Sequence, residues 1–536
     1  MDAQPTLNTV KEHLSSLALL PTAVSPSLSN VASGLAILLL FRYLIALTRR
    51  TFPPGPAGLP IIGNLLQLSH DAWFKFTDWK RTYGPIVYLN LAGQNVVVLN
   101  TLQAAADLLD RRAAIYSSRP RFEVACNMLT EGMFFVFQDY GDRWRRMRRA
   151  AHEGLHSGVV KDYYPIQILE AAILLEDMIR APNEWDKHMR RTAASTVLSA
   201  TYDCAPLKNV DDPSMIILEN FTKRIVKAGY VDGFFIELFP LFKHLPSIFA
   251  PWKKEAYEWA PQFTRLFEGL YSGVKEKVLE GQARPSFSAS MVEKQIKYDL
   301  SDKETAWLVG TIAAAYETIS GTMAWFMLAM VLYPEAQRKA HEELDAIVGR
   351  SRPPTFDDLD SLVYIQAIVK EILRWHPVDP LGEQVISVLA DDVYKGYFIP
   401  KGTICIANIW AINRDPDLWG PDADKFKPER HIGLDGKLAP SPPDTKDEGH
   451  VSFGFGRRIC VGRHLARNSL LINIASVLWM FDVLAPVGPG GEEIVCTEES
   501  IDMGLVVRPQ EYDHRFKLRI PDAEEILESH REALRI

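Results

Sequence analysis

The residue most suited to chemistry is Cys460, which ends the run Phe453-Gly454-Phe455-Gly456-Arg457-Arg458-Ile459-Cys460 and is followed by Val461-Gly462. Three glycines let such a loop lie close against a flat ligand and aim one side chain at it. The stretch from Arg463 onward has a helical pattern, so Cys460 sits at a helix N-terminus and beside Arg457, Arg458 and Arg463. Both features favour a thiolate, which would serve as a ligand or a nucleophile. From the cysteine alone, a buried core thiol flanked by surface arginines fits as well, since cysteine is among the most buried residue types. His464, one helical turn beyond, is the weaker candidate ligand.

Three further constellations stand out. Glu371-Ile-Leu-Arg374 places a carboxylate and a guanidinium one turn apart on one helix face, and a second arginine, Arg430, lies in Phe426-Lys-Pro428-Glu-Arg430. Trp144-Arg-Arg-Met-Arg148 falls within five arginines in the seven residues 143–149; a planar guanidinium suits a carboxylate, and a solvated basic face suits the composition equally. Glu317-Thr318 sets an acid beside an alcohol in an apolar helical stretch, a pair that relays protons through water and that also arises by chance.

The Cys460 segment matches F-x-x-G-x-R-x-C-x-G at Phe453, Gly456, Arg458, Cys460 and Gly462, and so resembles the haem-binding loop of cytochrome P450. The other constellations follow in that family's order, and the resemblance covers roughly residues 53–520. It implies haem b with Cys460 as axial iron ligand. Trp144 and Arg148 would approach a haem propionate, and the loop residues Phe453, Gly456, Arg458 and Gly462 would contact the cofactor. Glu371, Arg374 and Arg430 would lock the haem-side scaffold. Glu317 and Thr318 would deliver protons for oxygen activation. The arginine-rich stretch would dock an acidic flavoprotein, steered by charge.

This sequence departs from the family pattern in places. Ala315 stands for the usual glycine and Ile319 for a second hydroxyl residue, which implies a tighter groove over the haem. His431 replaces a common aromatic. After Pro380-Leu381-Gly382 the run Glu383–Ala390 has no basic residue before Lys395, so one propionate lacks its usual partner. His376, just before Pro377, reads as a helix-end residue. By resemblance the substrate pocket is lined by residues 126–137, Ala314, Thr318, residues 378–381 and residues 503–505, mostly apolar, which favours a hydrophobic small molecule.

These groups need elements to position them. Pro85–Leu91 and Asn95–Asn100 flank a short turn and read as a β-hairpin. Helical periodicity marks Leu102–Arg112, Tyr140–Glu153, Asp302–Leu332, Glu335–Val348, Leu362–Trp375 and His464–Met480. Strand-like pieces occur at Val393–Ile399 and Gly402–Ala407. The expected class is mainly α with minor β, a single haem-thiolate domain (65–536) after an N-terminal segment (1–30), a membrane anchor (31–50) and a Pro/Gly hinge (51–64).

The anchor rests on Val31–Leu47, a run of 17 residues interrupted by one charge, Arg42, at the short end for a spanning helix. Arg49 and Arg50 keep its C-terminal side cytoplasmic. The hinge Phe52–Asn64 holds four prolines and three glycines and cannot continue a helix. A net charge of −8 offers no attraction for nucleic acid, and five widely spaced cysteines suggest no disulfide framework.

Together these features lead to a monooxygenase in the endoplasmic reticulum membrane, single-pass, with a cytoplasmic catalytic domain. It would insert one atom of O2 into a hydrophobic small molecule, with electrons from NADPH-cytochrome P450 reductase, and it resembles fungal members of secondary metabolite biosynthesis. The altered Ala315 and Ile319 motivate a second reading, a haem-thiolate isomerase or dehydratase that needs no reductase. The missing basic residue motivates a third, a non-catalytic haem-binding protein.

Overall fold

The computed structural model describes residues 51–231, 236, 240–382, 385–499, 501–503, 506–510 and 512–534. The expected anchor at 31–50 lies outside them. Two compact units are present. The small one, Met1–Phe52 with Tyr394–Phe398, is described only in part; within it Phe398 N donates to Thr51 O over 2.8 Å and Phe52 meets the Phe398 ring at 6.0 Å. Everything that follows concerns the large unit, Pro53–Val393 with Ile399–Ile536.

The Pro/Gly segment is extended, as proline content requires, but it does not stand free of the body. Tyr88 N donates to Pro54 O over 2.9 Å and Asn64 N to Asn90 O over 2.7 Å. Gly63 has φ +62° and a Cβ there would meet Asn90 O at 2.0 Å, so only glycine lets this backbone approach.

Helix α1 (Ala72–Tyr83) precedes strands β1 (Ile86–Leu91) and β2 (Gln94–Leu99). These form the expected hairpin, with Leu91 opposite Gln94 and both turn residues, Ala92 and Gly93, at positive φ, the geometry of a two-residue primed turn. Leu102–Arg112 begins as helix α2 (Leu102–Ala105) and continues as a π-helical stretch, Ala106–Arg111. Next come α3 (Asp142–Leu155), α4 (Tyr164–Arg180), α5 (Trp185–Tyr202), α6 (Pro213–Val226) and α7 (Pro251–Leu279).

The long stretch expected at Asp302–Leu332 is two helices, α8 (Asp302–Ala313) and α9 (Tyr316–Leu332). A capping box between Ser301 and Glu304 starts the first, satisfying two orphan donors. At the break, Thr318 N and Thr318 Oγ1 both donate to Ala315 O, over 3.3 and 2.9 Å. This i to i+3 closure replaces one regular helical bond. The stretch is apolar enough to cross a membrane, yet 72% of its most apolar window is buried inside the protein, as in a core helix.

Helices α10 (Pro334–Ile347) and α11 (Val363–Trp375) follow, then β3 (Ile386–Ser387). The expected strand Val393–Ile399 resolves into β4 (Asp392–Tyr394) and β5 (Tyr397–Ile399), because Lys395 and Gly396 both turn at positive φ. Strand β6 (Ile404–Ala407) completes a four-stranded sheet in the order β1-β2-β6-β3, parallel only between β2 and β6. The chain ends with α12 (Arg463–Met480), β7 (Phe481–Leu484), β8 (Ile501–Met503), β9 (Val507–Pro509), β10 (Arg515–Leu518) and α13 (Ala523–Leu534). The core lies among α4, α5, α8, α9, α11 and α12, where Trp307, Trp325, Trp375 and Trp479 are wholly buried. Mainly α with minor β is the class observed.

Candidate active site

Cys460 immediately precedes α12, with only Val461 and the N-cap Gly462 between them. Its amide donates to Phe453 O over 2.9 Å, which closes the loop on itself. Gly456 has φ +60°, and a Cβ there would lie 2.1 Å from Leu109 O; its amide donates to Asp110 on the π-helical stretch. The loop is therefore pinned to Ala106–Arg111 by a contact only glycine permits. A Cβ on Gly462 would meet nothing.

Arg458 turns inward. Nε donates to Ser117 O over 2.8 Å and Nη2 to Gln138 O over 2.7 Å, while its guanidinium lies 4.0 Å above the Trp144 ring. Trp144 stacks on Phe135 at 5.7 Å. Burial, then the like charges of Arg119 and Arg148, lower Arg458 to about 8. Arg148 is lowered to about 10 by burial, and Cys460 is the group that supports its charge.

Arg119 was not among the residues singled out from sequence. It is 4% exposed, its Nε donates to Val136 O over 2.8 Å and its Nη1 to Val385 O over 3.1 Å. Ser387 N donates to the neighbouring Ser118 O over 3.0 Å, so the segment after Gly382 runs beside it. The basic group missing from Glu383–Ala390 is thus supplied by Arg119 from a distant part of the chain. The only local signal was an arginine set in Ser117-Ser118-Arg119-Pro120.

These residues fit a haem. Trp144 Nε1 and Arg458 Nη1 are buried donors with no hydrogen-bond partner among the described residues, each costing about 1–3 kcal/mol if left so. Three clustered guanidinium groups also repel one another until an anion joins them. Haem carries two propionates, which suit both needs. Of the remaining arginines on α3, Arg146 pairs with Asp299 at 2.7 Å and Arg143 donates to Gly132 O over 2.7 Å. Arg145 and Arg149 are exposed.

The carboxylate of Glu371 is fully buried between Arg374 (2.7 Å), Arg430 (2.9 Å) and His431 (2.9 Å). Burial alone would raise it; Arg374 and His431 outweigh that and bring it to about 2. His431, a departure from the family pattern, is therefore a fourth member of this cluster. Arg374 Nη1 also donates to Asn413 O and Ala423 O, both over 2.7 Å, tying α11 to the later loops. His376 caps the end of α11 and stacks on Trp325 at 3.7 Å, the structural place anticipated for it. His464 is lowered to about 4 by burial and then by Arg463 and Arg467.

On the opposite side, the α8–α9 break faces a cavity of about 80 Å³. Ala315, exposed in an otherwise buried stretch, puts its methyl on the wall beside Thr318. Of the lining anticipated from sequence, Phe134, Val136, Phe137, Ala314 and Thr318 are present; Phe221, Thr222 and Ile225 of α6 were not anticipated. The side chains of 503–505 lie outside the described residues. Glu317 accepts from Tyr316 Oη over 3.3 Å. Burial raises its carboxyl above the usual range, against the pull of Arg190, Tyr316 and Arg508. Asp186 holds those two arginines together, at 2.8 Å from Arg190 Nε and in contact with Arg508.

Comparison with known proteins agrees with this geometry. The family model described as Cytochrome P450 matches residues 53–516. A cytochrome P450 monooxygenase of Armillaria gallica is 49% identical over 487 residues, 90% of this chain and 93% of the relative. Cytochrome P450 monooxygenase 58 of Postia placenta is 46% identical, over 93% of this chain and 94% of the relative. Cytochrome P450 monooxygenase iboC of Amanita muscaria is 37% identical, over 90% and 94%. With the family's loop, its buried ion cluster and its order of landmarks all present in one body, the chain belongs to the cytochrome P450 family, and is a haem-thiolate monooxygenase.

Proposed function

We propose that the chain inserts one oxygen atom from O2 into a hydrophobic small molecule of secondary metabolism, with electrons from NADPH through NADPH-cytochrome P450 reductase. The observation that carries this reading is the pair of opposed surfaces. One is a buried guanidinium cluster beside Cys460; the other is an apolar cavity closed by the Glu317-Thr318 break. Haem bound between them supplies oxygen activation at iron.

Each residue then has a task. Cys460 presents its sulfur as axial ligand. Trp144, Arg148 and Arg458, with Arg119, hold the propionates, while Phe453, Gly456 and Gly462 shape the loop beneath the ring. Glu371, Arg374 and Arg430 fix the scaffold behind it. Thr318 holds water at the α8–α9 break, and Glu317 passes protons inward from the side of Arg190 and Asp186. Aromatic and aliphatic walls exclude bulk water and favour an apolar ligand. The exposed Arg145 and Arg149 offer an acidic reductase a steering surface. The N-terminal anchor would hold the chain in the endoplasmic reticulum membrane with the catalytic domain cytoplasmic.

Reconstitution with NADPH-cytochrome P450 reductase and a panel of apolar small molecules tests the reading. It predicts a product heavier by one oxygen, formed only with NADPH, O2 and reductase. Product formed without reductase would instead support the isomerase or dehydratase reading motivated by Ala315 and Ile319.

A further inference from the structure

Three side chains lining the distal cavity carry a hydroxyl, and they differ in one respect. Thr311 Oγ1 donates to Trp307 O over 2.7 Å and accepts from Phe135 N over 3.4 Å. Thr318 Oγ1 donates to Ala315 O over 2.9 Å. Thr222, on α6, is 3% exposed, lines the same cavity, and its Oγ1 has no hydrogen-bond partner among the described residues. A helical threonine ordinarily bonds back to a carbonyl one turn earlier; this one does not.

The surroundings give it no alternative partner. Phe134 meets Phe221 edge-on at 5.4 Å and Phe137 at 5.3 Å, and Ile225 and Val136 complete an aliphatic and aromatic wall. A buried hydroxyl in such a wall is unfavourable unless something bonds it. The cavity, at about 80 Å³, is far below the usual size for a ligand site of roughly 300–1,000 Å³, which favours a compact occupant.

We propose that Thr222 anchors the substrate: the ligand is a compact hydrocarbon skeleton already bearing one hydroxyl or carbonyl oxygen, which bonds Thr222 Oγ1 and turns a carbon remote from it toward Ala315 and Thr318. This rests on the reading of the cavity as the site of a hydrophobic substrate. It places the enzyme after a reaction that supplies an alcohol or ketone.

The test uses the full-length holoenzyme and the Soret shift on ligand binding. The probes are matched pairs: adamantan-1-ol with adamantane, 2-tetralone with tetralin, and 4-phenylcyclohexanol with phenylcyclohexane. The native protein is expected to bind the oxygenated members about tenfold more tightly. Thr222→Val should abolish that preference without weakening hydrocarbon binding, and Thr222→Ser should retain it. Because valine removes an unbonded buried hydroxyl, its melting temperature should equal or exceed the native value; a clear fall would assign the hydroxyl to folding and overturn the anchor. Equal binding of both members, or a preference that survives in Thr222→Val, would also overturn it while leaving the monooxygenase reading intact. No shift with any probe would overturn both.

Discussion

The Arg458 guanidinium lies 4.0 Å above the indole ring of Trp144, and each of the two residues keeps one buried donor, Arg458 Nη1 and Trp144 Nε1, without a partner among the described residues. The pair is a prepared half-site whose other half is an anion. Cation–π contact holds the guanidinium in place where burial and like charges would disfavour it.

Trp144→Phe removes one donor while keeping an aromatic surface for Phe135, and Arg458→Leu removes the charge. Each is expected to speed haem loss to a scavenging apoprotein, about tenfold for the neutral donor and up to about 100-fold for the charged one, since bonds to charged groups are worth roughly 1.5–3 kcal/mol. Unchanged haem retention in both would place the propionates elsewhere.

Acid should destabilise the fold in two stages. His376 and His450 are held well below 6.5 by burial, then by neighbouring cations, so the unfolded chain takes up protons there from about pH 6.5 downward while the folded chain does not. The Glu371 carboxyl stands near 2 in the fold against 4.5 unfolded. Its contribution is fully present above 4.5 and is lost as pH falls toward 2, about 3 kcal/mol in all. Glu371→Gln should cost about 3–5 kcal/mol at neutral pH, because it strands Arg374 and Arg430, and should flatten the lower stage. Urea unfolding at pH 7 and pH 4 reads both effects.

Glu317→Gln should slow coupled turnover by about 100-fold, the scale of a lost acid–base group. In the native protein the turnover–pH profile should show a group titrating above the usual carboxylate range, as burial of Glu317 requires, and the glutamine variant should lose that limb. Thr318→Ala should keep NADPH consumption but divert it to hydrogen peroxide. Full coupling in Thr318→Ala would show that the relay runs through other residues.

What the sequence made legible follows from distance along the chain. Glu371 and Arg374 are one helical turn apart, and the Cys460 loop is contiguous, so local spacing was enough for both. The Ala92-Gly93 turn was visible for the same reason. Arg119 was not, because its place beside Arg458 depends on Ser117 O accepting from Nε of a residue more than three hundred positions away. Nor was the α6 wall, where Phe221, Thr222 and Ile225 meet α8 and α9 only through tertiary packing. The break at Ala314-Ala315 also escaped periodicity, since alanine favours helix and the interruption follows from hydrogen bonding at Ala315 O. His431, which looked like a departure, is explained by the carboxylate it bonds.

The most direct measurement is the ferrous-carbon monoxide spectrum of the purified protein and its Cys460→Ala variant. The native protein should show the red-shifted Soret band of a thiolate-ligated haem, and the variant should lose that band even where haem remains bound. A native protein without the band, or a variant that keeps it, would contradict the assignment of Cys460 as the iron ligand.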